Sequence, residues 1–589
     1  MTVVVVPDLL RERAAADPAA VALRVGSAAS LTFAEWERRS NAAARGLVGR
    51  GVGPGDPVAL VFGNDRWIDY AGCYLALHNA GAVAVPLGTR VAGPELEAIL
   101  GHSGATGIIR PAGAASPSPP AGVAWEADPS QLEAGHDDDT FQVSVAPDDL
   151  AEILYTSGTT GVAKGVACTH LSILAHDLPA DSAAGPDGPA GPDGPTGEVS
   201  FLHSFPIGTQ AGQETMRVPL RMAGRVAIML ASFDPDELCA LVARHRARRL
   251  QLVPAMAQMV VTSGAYRHHD VSSVKRIILS SAPAPPALFT RLAEAFPAAS
   301  LWNAYALTEA GAARTLMRYD PGRPTSVGRP VGETEVKIAN DSGRSLPPGA
   351  TGEVWLRRPG TPPRRYYRDP EATAEAFVDG WVRTGDVGHL DGDGYLHLGD
   401  RKKDLIITGG TNVSPVEVEN VLDEHPAVAE AAVFGVAHPV LGEDVAAAVV
   451  VRSAAGEREL QEFVRARLGE HKVPHRVVVV DDLPRNVSGK VLKGALRDRF
   501  GSETSEAAFV SPRDEVETRV AAVWAEVLAR PRIGAHDDFF ALGGHSLAAA
   551  QIVARLGDAF DVELPVGAVF EAPTVAELAQ RVQEATTQA

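Results

Sequence analysis

From residue 33 onward the apolar pattern of the chain keeps switching between two periods, and that alternation limits the fold more than any other feature. Residues 33–50 repeat apolar side chains at helical spacing, Pro57–Phe62 is a continuous apolar run, residues 67–80 are helical again, and residues 83–87 form a second run. Short apolar runs bounded by turn residues read as strands, and repeated strand–helix units imply an open, mostly parallel sheet. The alternation resumes from residue 199 to about 330, gives way to shorter strands and helices around 400, and ends in helical spacing alone over 515–528, 546–556 and 575–584. At 589 residues the chain exceeds what one core can fill. The expected architecture is a large α/β core with mostly parallel sheets, a smaller α+β subdomain, and an all-α terminal domain.

Several stretches interrupt this order. Residues 111–140, rich in Ala, Pro, Ser and Asp, read as a loop excursion, and residues 185–197, with glycine at every third position, read as an exposed mobile insertion too short for a collagen triple helix. His136, Asp137, Asp138 and Asp139 could offer metal ligands, but an acidic run is far more often a solvated face and is set aside. Asp234, Pro235 and Glu237 have the order of a helix start: Asp234 as N-cap, Pro235 at the first helical position, Glu237 closing a capping box, with a helix expected over 238–249.

The net charge of −19 argues against broad nucleic-acid or membrane-surface binding, which need basic fields, so an anionic ligand has to be held by local charges. Cys73, Cys168 and Cys239 are scattered without metal spacing, which fits a reducing compartment without a disulfide framework. Val3, Val4, Val5 and Val6 follow no basic stretch and read as neither signal peptide nor membrane span, so the expected location is cytoplasmic.

The chemistry starts after Ile153, Leu154 and Tyr155, a buried-strand signal that delivers the chain into Thr156-Ser157-Gly158-Thr159-Thr160-Gly161-Val162-Ala163-Lys164-Gly165. Glycines let backbone N–H groups approach an anion, hydroxyls add donors, and lysine supplies charge, which together suit a polyphosphate. It is not the P-loop, since Ala163 precedes Lys164 where glycine is required and Gly165 stands where Ser or Thr would bind magnesium. The string resembles the phosphate loop of the adenylate-forming superfamily, which includes acyl-CoA synthetases, aryl-acid ligases and nonribosomal peptide synthetase adenylation domains.

That resemblance extends along nearly the whole chain. Asn303-Ala304-Tyr305-Ala306-Leu307-Thr308-Glu309 resembles the family's YGxTE motif with Ala306 where glycine is usual. It implies that Tyr305 stacks beside adenine, Thr308 contacts phosphate or ligand, and Glu309 coordinates Mg²⁺, a cation that needs only one or two carboxylates beside phosphate oxygens. Ser281-Ala282-Pro283 resembles the segment lining the adenine. Thr384-Gly385-Asp386 resembles the motif whose aspartate accepts the ribose hydroxyls. Asp400-Arg401-Lys402-Lys403 resembles the joint of large and small domains, with Arg401 reaching ribose and phosphate and Lys403 at the hinge. Residues 409–415 resemble the loop that swings in for the second half-reaction, in wording closer to acyl-CoA synthetases. Lys490, in Pro484-Arg485-Asn486-Val487-Ser488-Gly489-Lys490, is implied to bridge the carboxylate and the α-phosphate, two anions that need a cation between them. Lys493 reads as a solvated helix residue. Finally, Gly543-Gly544-His545-Ser546-Leu547 resembles a carrier-protein attachment site, with Ser546 receiving 4′-phosphopantetheine at a helix start.

The domains implied are a large adenylation domain over 1–399, a mobile small subdomain over 400–500, a linker over 501–512, and a four-helix peptidyl carrier over 513–589. The resemblance implies an ATP- and Mg²⁺-dependent ligase loading a carboxylic acid onto its own carrier. Its partners are the acid, a phosphopantetheinyl transferase and a downstream condensing, transferase or tailoring enzyme, with no nucleic acid or membrane. His203-Ser204-Phe205-Pro206 resembles the substrate-facing segment of aryl-acid-activating relatives, with Ser204 replacing asparagine, and together with Ala306 it marks the expected pocket. No aspartate stands there to pair an α-ammonium, and a buried ammonium without counter-charge is costly, so an aryl or small acyl acid without a free α-amine is expected. An acyl-CoA synthetase releasing acyl-CoA, and a carrier scaffold with an inactive adenylation half, are the alternatives; intact Lys164, Glu309, Asp386 and Lys490 oppose the second.

Overall fold

In the computed structural model the described residues are 4–27, 29–89, 91, 93–113, 122–156, 163–176, 199–401, 404–408, 411–438, 442–486, 489–500, 510–528, 530–537, 539, 542, 546–565 and 567–588. The chain divides into two compact units, Met1–Lys402 with Arg485–Lys490, and Lys403–Pro484 with Val491–Ala589.

In the first unit, Pro57–Phe62 and Val83–Gly88 pair in parallel, as their unbroken apolar runs require. They lie inside a seven-strand sheet whose order among the described residues is Arg365–Tyr366, Lys164–Thr169, Leu150–Thr156, Val83–Gly88, Pro57–Phe62, Gly107–Ile109, Trp125–Ala127. The helix Phe33–Gly49 begins at a Thr32–Glu35 capping box and turns Phe33, Trp36, Ala43, Ala44 and Leu47 into the core. Each fully buried large apolar side chain contributes about 1.5–3 kcal/mol. A Cβ at Gly46 would stand 2.1 Å from the Leu132 carbonyl oxygen, so only glycine fits this approach.

The second sheet of this unit starts with Ala29–Thr32, antiparallel to its neighbour, and continues through the parallel strands Val21–Val25, Arg225–Met229, Val199–His203, Arg249–Leu252, Arg276–Leu279 and Ser300–Ala306, in that spatial order. Beyond Ser300–Ala306 it continues antiparallel through Arg314–Arg318, Ser326–Pro330, Leu396–Arg401, Trp381–Leu390, Gly352–Arg357 and Glu335–Ala339. Parallel order holds where helices intervene and ends where hairpins replace them.

In the second unit, Val428–His438 and Gly442–Val451 form a long antiparallel pair, with Arg476–Val479 added in parallel and helices Pro415–Asp423, Glu457–Arg465 and Lys493–Phe500 beside it. Four helices, Glu515–Val527, Ser546–Phe560, Gly567–Glu571 and Val575–Gln588, pack around the buried Trp524, Phe539, Leu556, Val575 and Leu578 among the described residues.

Four local expectations change. Residues 111–140 hold more than loop: Trp125–Ala127 is an edge strand and Pro129–Glu133 a short helix, both too brief to leave a periodic signal. The helix expected over 238–249 runs Pro235–His245, because Arg246 turns left-handed at φ 49° and Arg249–Leu252 is a strand. Asp234 caps this helix, accepting the Glu237 N–H at 2.8 Å, but the Glu237 carboxylate lies toward Gly26 and no reciprocal capping-box bond forms among the described residues. Lys493 is not solvated: its ammonium sits 2.7 Å from Glu419, both side chains only 17% exposed. The glycine-rich insertion and residues 501–509 lie outside the described residues.

Candidate active site

Four neighbouring parallel strands of the larger sheet end on the same edge and hand their next residues to one region. Val199–His203 leads into Ser204-Phe205-Pro206, Arg249–Leu252 into Val253, Arg276–Leu279 into Ser281-Ala282-Pro283, and Ser300–Ala306 into Thr308 and Glu309. Ligands of open α/β sheets bind outside the carboxyl ends of such strands. Ser281 adopts φ 72°, a strained setting for a non-glycine residue of the kind that gathers at functional sites.

The other sheet reaches this edge through the hairpin Leu150–Thr156 and Lys164–Thr169, in which Thr156 and Lys164 are register partners. Ser157, Gly158, Thr159, Thr160 and Gly161 lie outside the described residues. Thr156 Oγ1 donates to Glu309 Oε1 at 3.4 Å, and the Tyr366 hydroxyl donates to the same oxygen at 3.1 Å. Lys164 Nζ rests over the Tyr366 ring, 4.9 Å from its centroid, and has no ion pair among the described residues. Burial and then the neighbouring Glu309 carboxylate raise the Tyr366 phenol, which keeps it a donor. Glu309 Oε2 has no partner among the described residues. A carboxylate anchored by one oxygen, with no partner on the other among the described residues and Lys164 over the ring of the tyrosine that anchors it, fits a hard divalent cation such as Mg²⁺.

A second cluster forms around Asp386. Its Oδ2 accepts the Tyr305 hydroxyl at 2.6 Å and its Oδ1 accepts Arg401 Nε at 3.0 Å, while Thr384 Oγ1 receives the Asp386 amide. Asp386 and Arg401 face each other across adjacent strands. Burial, then the Asp386 charge, pushes the Tyr305 phenol far up. Thr308 contributes its carbonyl, which accepts Arg364 Nη1, and Ala306 is exposed at its strand end. No hydrogen bond among the described residues ties Ala282 or Pro283 to either cluster.

His203 is wholly buried, edge-on to Trp67 at 5.8 Å and stacked on Phe205 at 5.7 Å. Its Nδ1 accepts the Phe205 N–H at 3.1 Å, which places the ring proton on Nε2, and burial lowers its pKa to about 3. Ser204 and Phe205 are buried with it, and Pro206 receives Thr209 Oγ1 on its carbonyl at 2.7 Å.

The segment Arg485–Lys490 belongs to the first unit, and a Cβ on Gly489 would meet Val253 at 3.3 Å. The Lys490 amide donates to Asn486 Oδ1 at 2.8 Å and Asn486 N to the Lys490 carbonyl at 2.9 Å, a tight turn for which Gly489 supplies φ 81°. Lys403, Gly409 and Gly410 lie outside the described residues. Ser546 is the first residue of the helix Ser546–Phe560, and its side chain is outside the described set.

Two features escaped sequence reasoning. Tyr366 reaches the site from the edge strand Arg365–Tyr366 and Arg364 from the residue just before it; Arg364, 4% exposed, also donates to Gln210 Oε1 at 2.8 Å. Behind the Thr156 hairpin, Glu152 Oε2 accepts the Tyr74 hydroxyl at 2.8 Å with Arg217 Nη1 3.9 Å away, a fully buried charge pair. A carboxylate in an apolar strand, Glu152 within Leu150–Thr156, was the available signal. Asp137, Asp138 and Asp139 approach one another closely but are all exposed, and Arg45 takes the Asp137 and Asp139 carbonyls. Among the described residues no helix is long and apolar enough to cross a membrane, and the three cysteines are free and buried.

Residues 10–367 match the AMP-binding enzyme family, residues 417–490 the AMP-binding enzyme C-terminal domain, and residues 518–582 the phosphopantetheine attachment site. Feruloyl-CoA synthase from Amycolatopsis sp is 36% identical over 83% of this chain and 98% of its own length. Fatty acid–[acyl-carrier-protein] ligase ScoC from Streptomyces coeruleorubidus is 33% identical over 81% of this chain and 93% of its own. The crystal structure of ATP-bound MatB from Rhodopseudomonas palustris superimposes with a TM-score of 0.74 at 29% identity, covering 84% of this chain and 99% of that one.

Proposed function

Because the chain belongs to the AMP-binding enzymes, with that family's C-terminal domain and a phosphopantetheine attachment domain following in series, we propose that it activates a carboxylic acid and loads it onto its own carrier. The observation that supports this most is the meeting of Thr156, Lys164 and Glu309 at the carboxyl edge of the sheet, in a chain that also carries Ser546. ATP and Mg²⁺ serve the first step, and phosphopantetheine the second. Domain limits of 1–399, 400–500 and 513–589, with a linker over 501–512, a cytoplasmic location and a role in natural-product biosynthesis complete the reading.

Lys164, Thr156 and the residues after it hold the triphosphate, while Asp386 accepts the ribose hydroxyls with Tyr305 and Arg401 fixing its two oxygens. Glu309 holds Mg²⁺, which when bound neutralises phosphate charge. Lys490 stands between the substrate carboxylate and the α-phosphate as an oxygen of the carboxylate attacks phosphorus and pyrophosphate leaves. Adenylation turns a poor leaving group into AMP. The thiol of the arm on Ser546 then takes the acyl group and AMP departs, with Lys403 as the hinge between the two poses of the small domain.

The acid is an aryl or small acyl acid without a free α-amine. His203 is neutral and buried, so it offers an α-ammonium no counter-charge. A second reading, release of acyl-CoA, is favoured by the similarity to feruloyl-CoA synthase. ATP–pyrophosphate exchange over aryl, fatty and amino acids tests the substrate class: exchange with aryl or small acyl acids is expected, and an α-amino acid as best substrate overturns the reading.

A further inference from the structure

Tyr366 joins Glu309 and Lys164, the two charged groups assigned above to Mg²⁺ and the triphosphate. Its hydroxyl ends on Glu309 Oε1 at 3.1 Å, beside the Thr156 hydroxyl at 3.4 Å, and its ring carries Lys164 Nζ at 4.9 Å. A tyrosine serving only as packing needs the apolar contact alone, and Tyr366 has one, edge-on to Phe377 at 5.5 Å. The hydroxyl bond and the cation contact are additional to it. Arg365–Tyr366 is an edge strand paired with Lys164–Thr169, so the backbone that delivers Lys164 also delivers the tyrosine.

We propose that Tyr366 is a positioning residue for the metal-binding carboxylate: with Thr156 it holds Glu309 by Oε1 and leaves Oε2 as the oxygen that takes Mg²⁺, while its ring holds Lys164 in place for the phosphates. A carboxylate fixed before binding loses less rotational freedom when the ion arrives, so affinity rises without a new ligand. A cation over an aromatic face is likewise pre-placed but not neutralised, so it stays available to phosphate. The inference rests on the reading of Glu309 as the Mg²⁺ ligand.

The test is ATP binding to the full-length protein by calorimetry, with Mg²⁺ titrated from zero, and thermal melting run in parallel. Tyr366→Phe keeps the ring and removes the hydroxyl. It is expected to raise the Mg²⁺ concentration for half-maximal enhancement about tenfold, the scale of one hydrogen bond to a charged group, and to leave metal-free ATP affinity unchanged. Tyr366→Leu is expected to weaken metal-free binding severalfold as well. Phe377→Leu removes the packing neighbour and is expected to leave the Mg²⁺ titration alone; a shift matching that of Tyr366→Phe overturns the proposal. Glu309→Gln separates the two levels of the argument. If it shifts the titration and Tyr366→Phe does not, the tyrosine has no positioning role and the ligand assignment stands. If it causes no shift, the ligand assignment falls and the tyrosine's role with it. In the Glu309→Gln background, Tyr366→Phe should add nothing; an undiminished further shift refutes action through Glu309.

Discussion

His203→Phe turns the burial of His203 into a measurable pH effect. His203 is wholly buried between Trp67 and Phe205, and its pKa is lowered to about 3 by that burial. In the unfolded chain a histidine titrates near 6.5. Between those two values the unfolded state carries a proton that the folded state does not, so stability rises with pH across the window and is lost as pH falls below 6.5. At pH 5 the penalty spans about 1.5 pH units at about 1.36 kcal/mol each, or about 2 kcal/mol. Phenylalanine keeps an aromatic ring in the slot and cannot titrate, but it forfeits the 3.1 Å bond from the Phe205 N–H, a loss of about 1 kcal/mol at every pH. The variant is therefore less stable than the parent by about 1 kcal/mol at pH 7.5 and more stable by about 1 kcal/mol at pH 5. Native-state hydrogen exchange of peptides covering Val199–His203 and Gln210–Arg221, corrected for intrinsic rates, reads these opening energies without assuming one global transition. His78 and His170, also lowered by burial, are present in both proteins and cancel in the comparison. A parent–variant difference that is equal at both pH values refutes the reasoning.

Two lysines three residues apart give opposite outcomes. Lys490→Ala should abolish most ATP–pyrophosphate exchange while leaving melting and phosphopantetheinylation of Ser546 intact; equal loss of both activities means misfolding instead. Lys493→Ala should leave exchange per folded molecule intact but destabilise the second unit by about 1–2 kcal/mol in thermal unfolding, between the values for exposed and buried pairs. The loss stays moderate because Glu419 keeps the Val433 N–H at 2.8 Å.

Much of this fold is legible because its signals are local. Pro57–Phe62 is a strand at the expected limits, and the helix Phe33–Gly49 falls within a residue of its apolar pattern. Asp234 is recognisable as a cap because capping chemistry spans three residues. Arg246 shows where local reading stops: nothing in its type announces a left-handed backbone, so the helix before it was expected to run on. Trp125–Ala127 is a strand only because Gly107–Ile109 is its neighbour, which is a tertiary fact. The candidate site divides the same way. Thr156, Lys164, Tyr305, Glu309, Asp386 and Arg401 are prominent in the sequence because each lies in a short string of unusual chemistry, and the structure sorts them into two bonded clusters. Tyr366 lies 57 positions from Glu309, and its part is set by which edge strand pairs with which, information that no local window contains. The pairing of Lys493 with Glu419 was hidden for the same reason.

The central claim is that one chain both activates an acid and receives it. The most direct measurement is the intact mass of the full-length protein after phosphopantetheinylation, with ATP, Mg²⁺ and a mixture of aryl, fatty and amino acids, followed by mapping of the peptide that holds Ser546. The account predicts a mass increment on that peptide equal to one aryl or small acyl group, dependent on ATP and lost in Lys490→Ala. Pyrophosphate release with no acyl increment on Ser546 contradicts it and makes free coenzyme A or a separate carrier the acceptor.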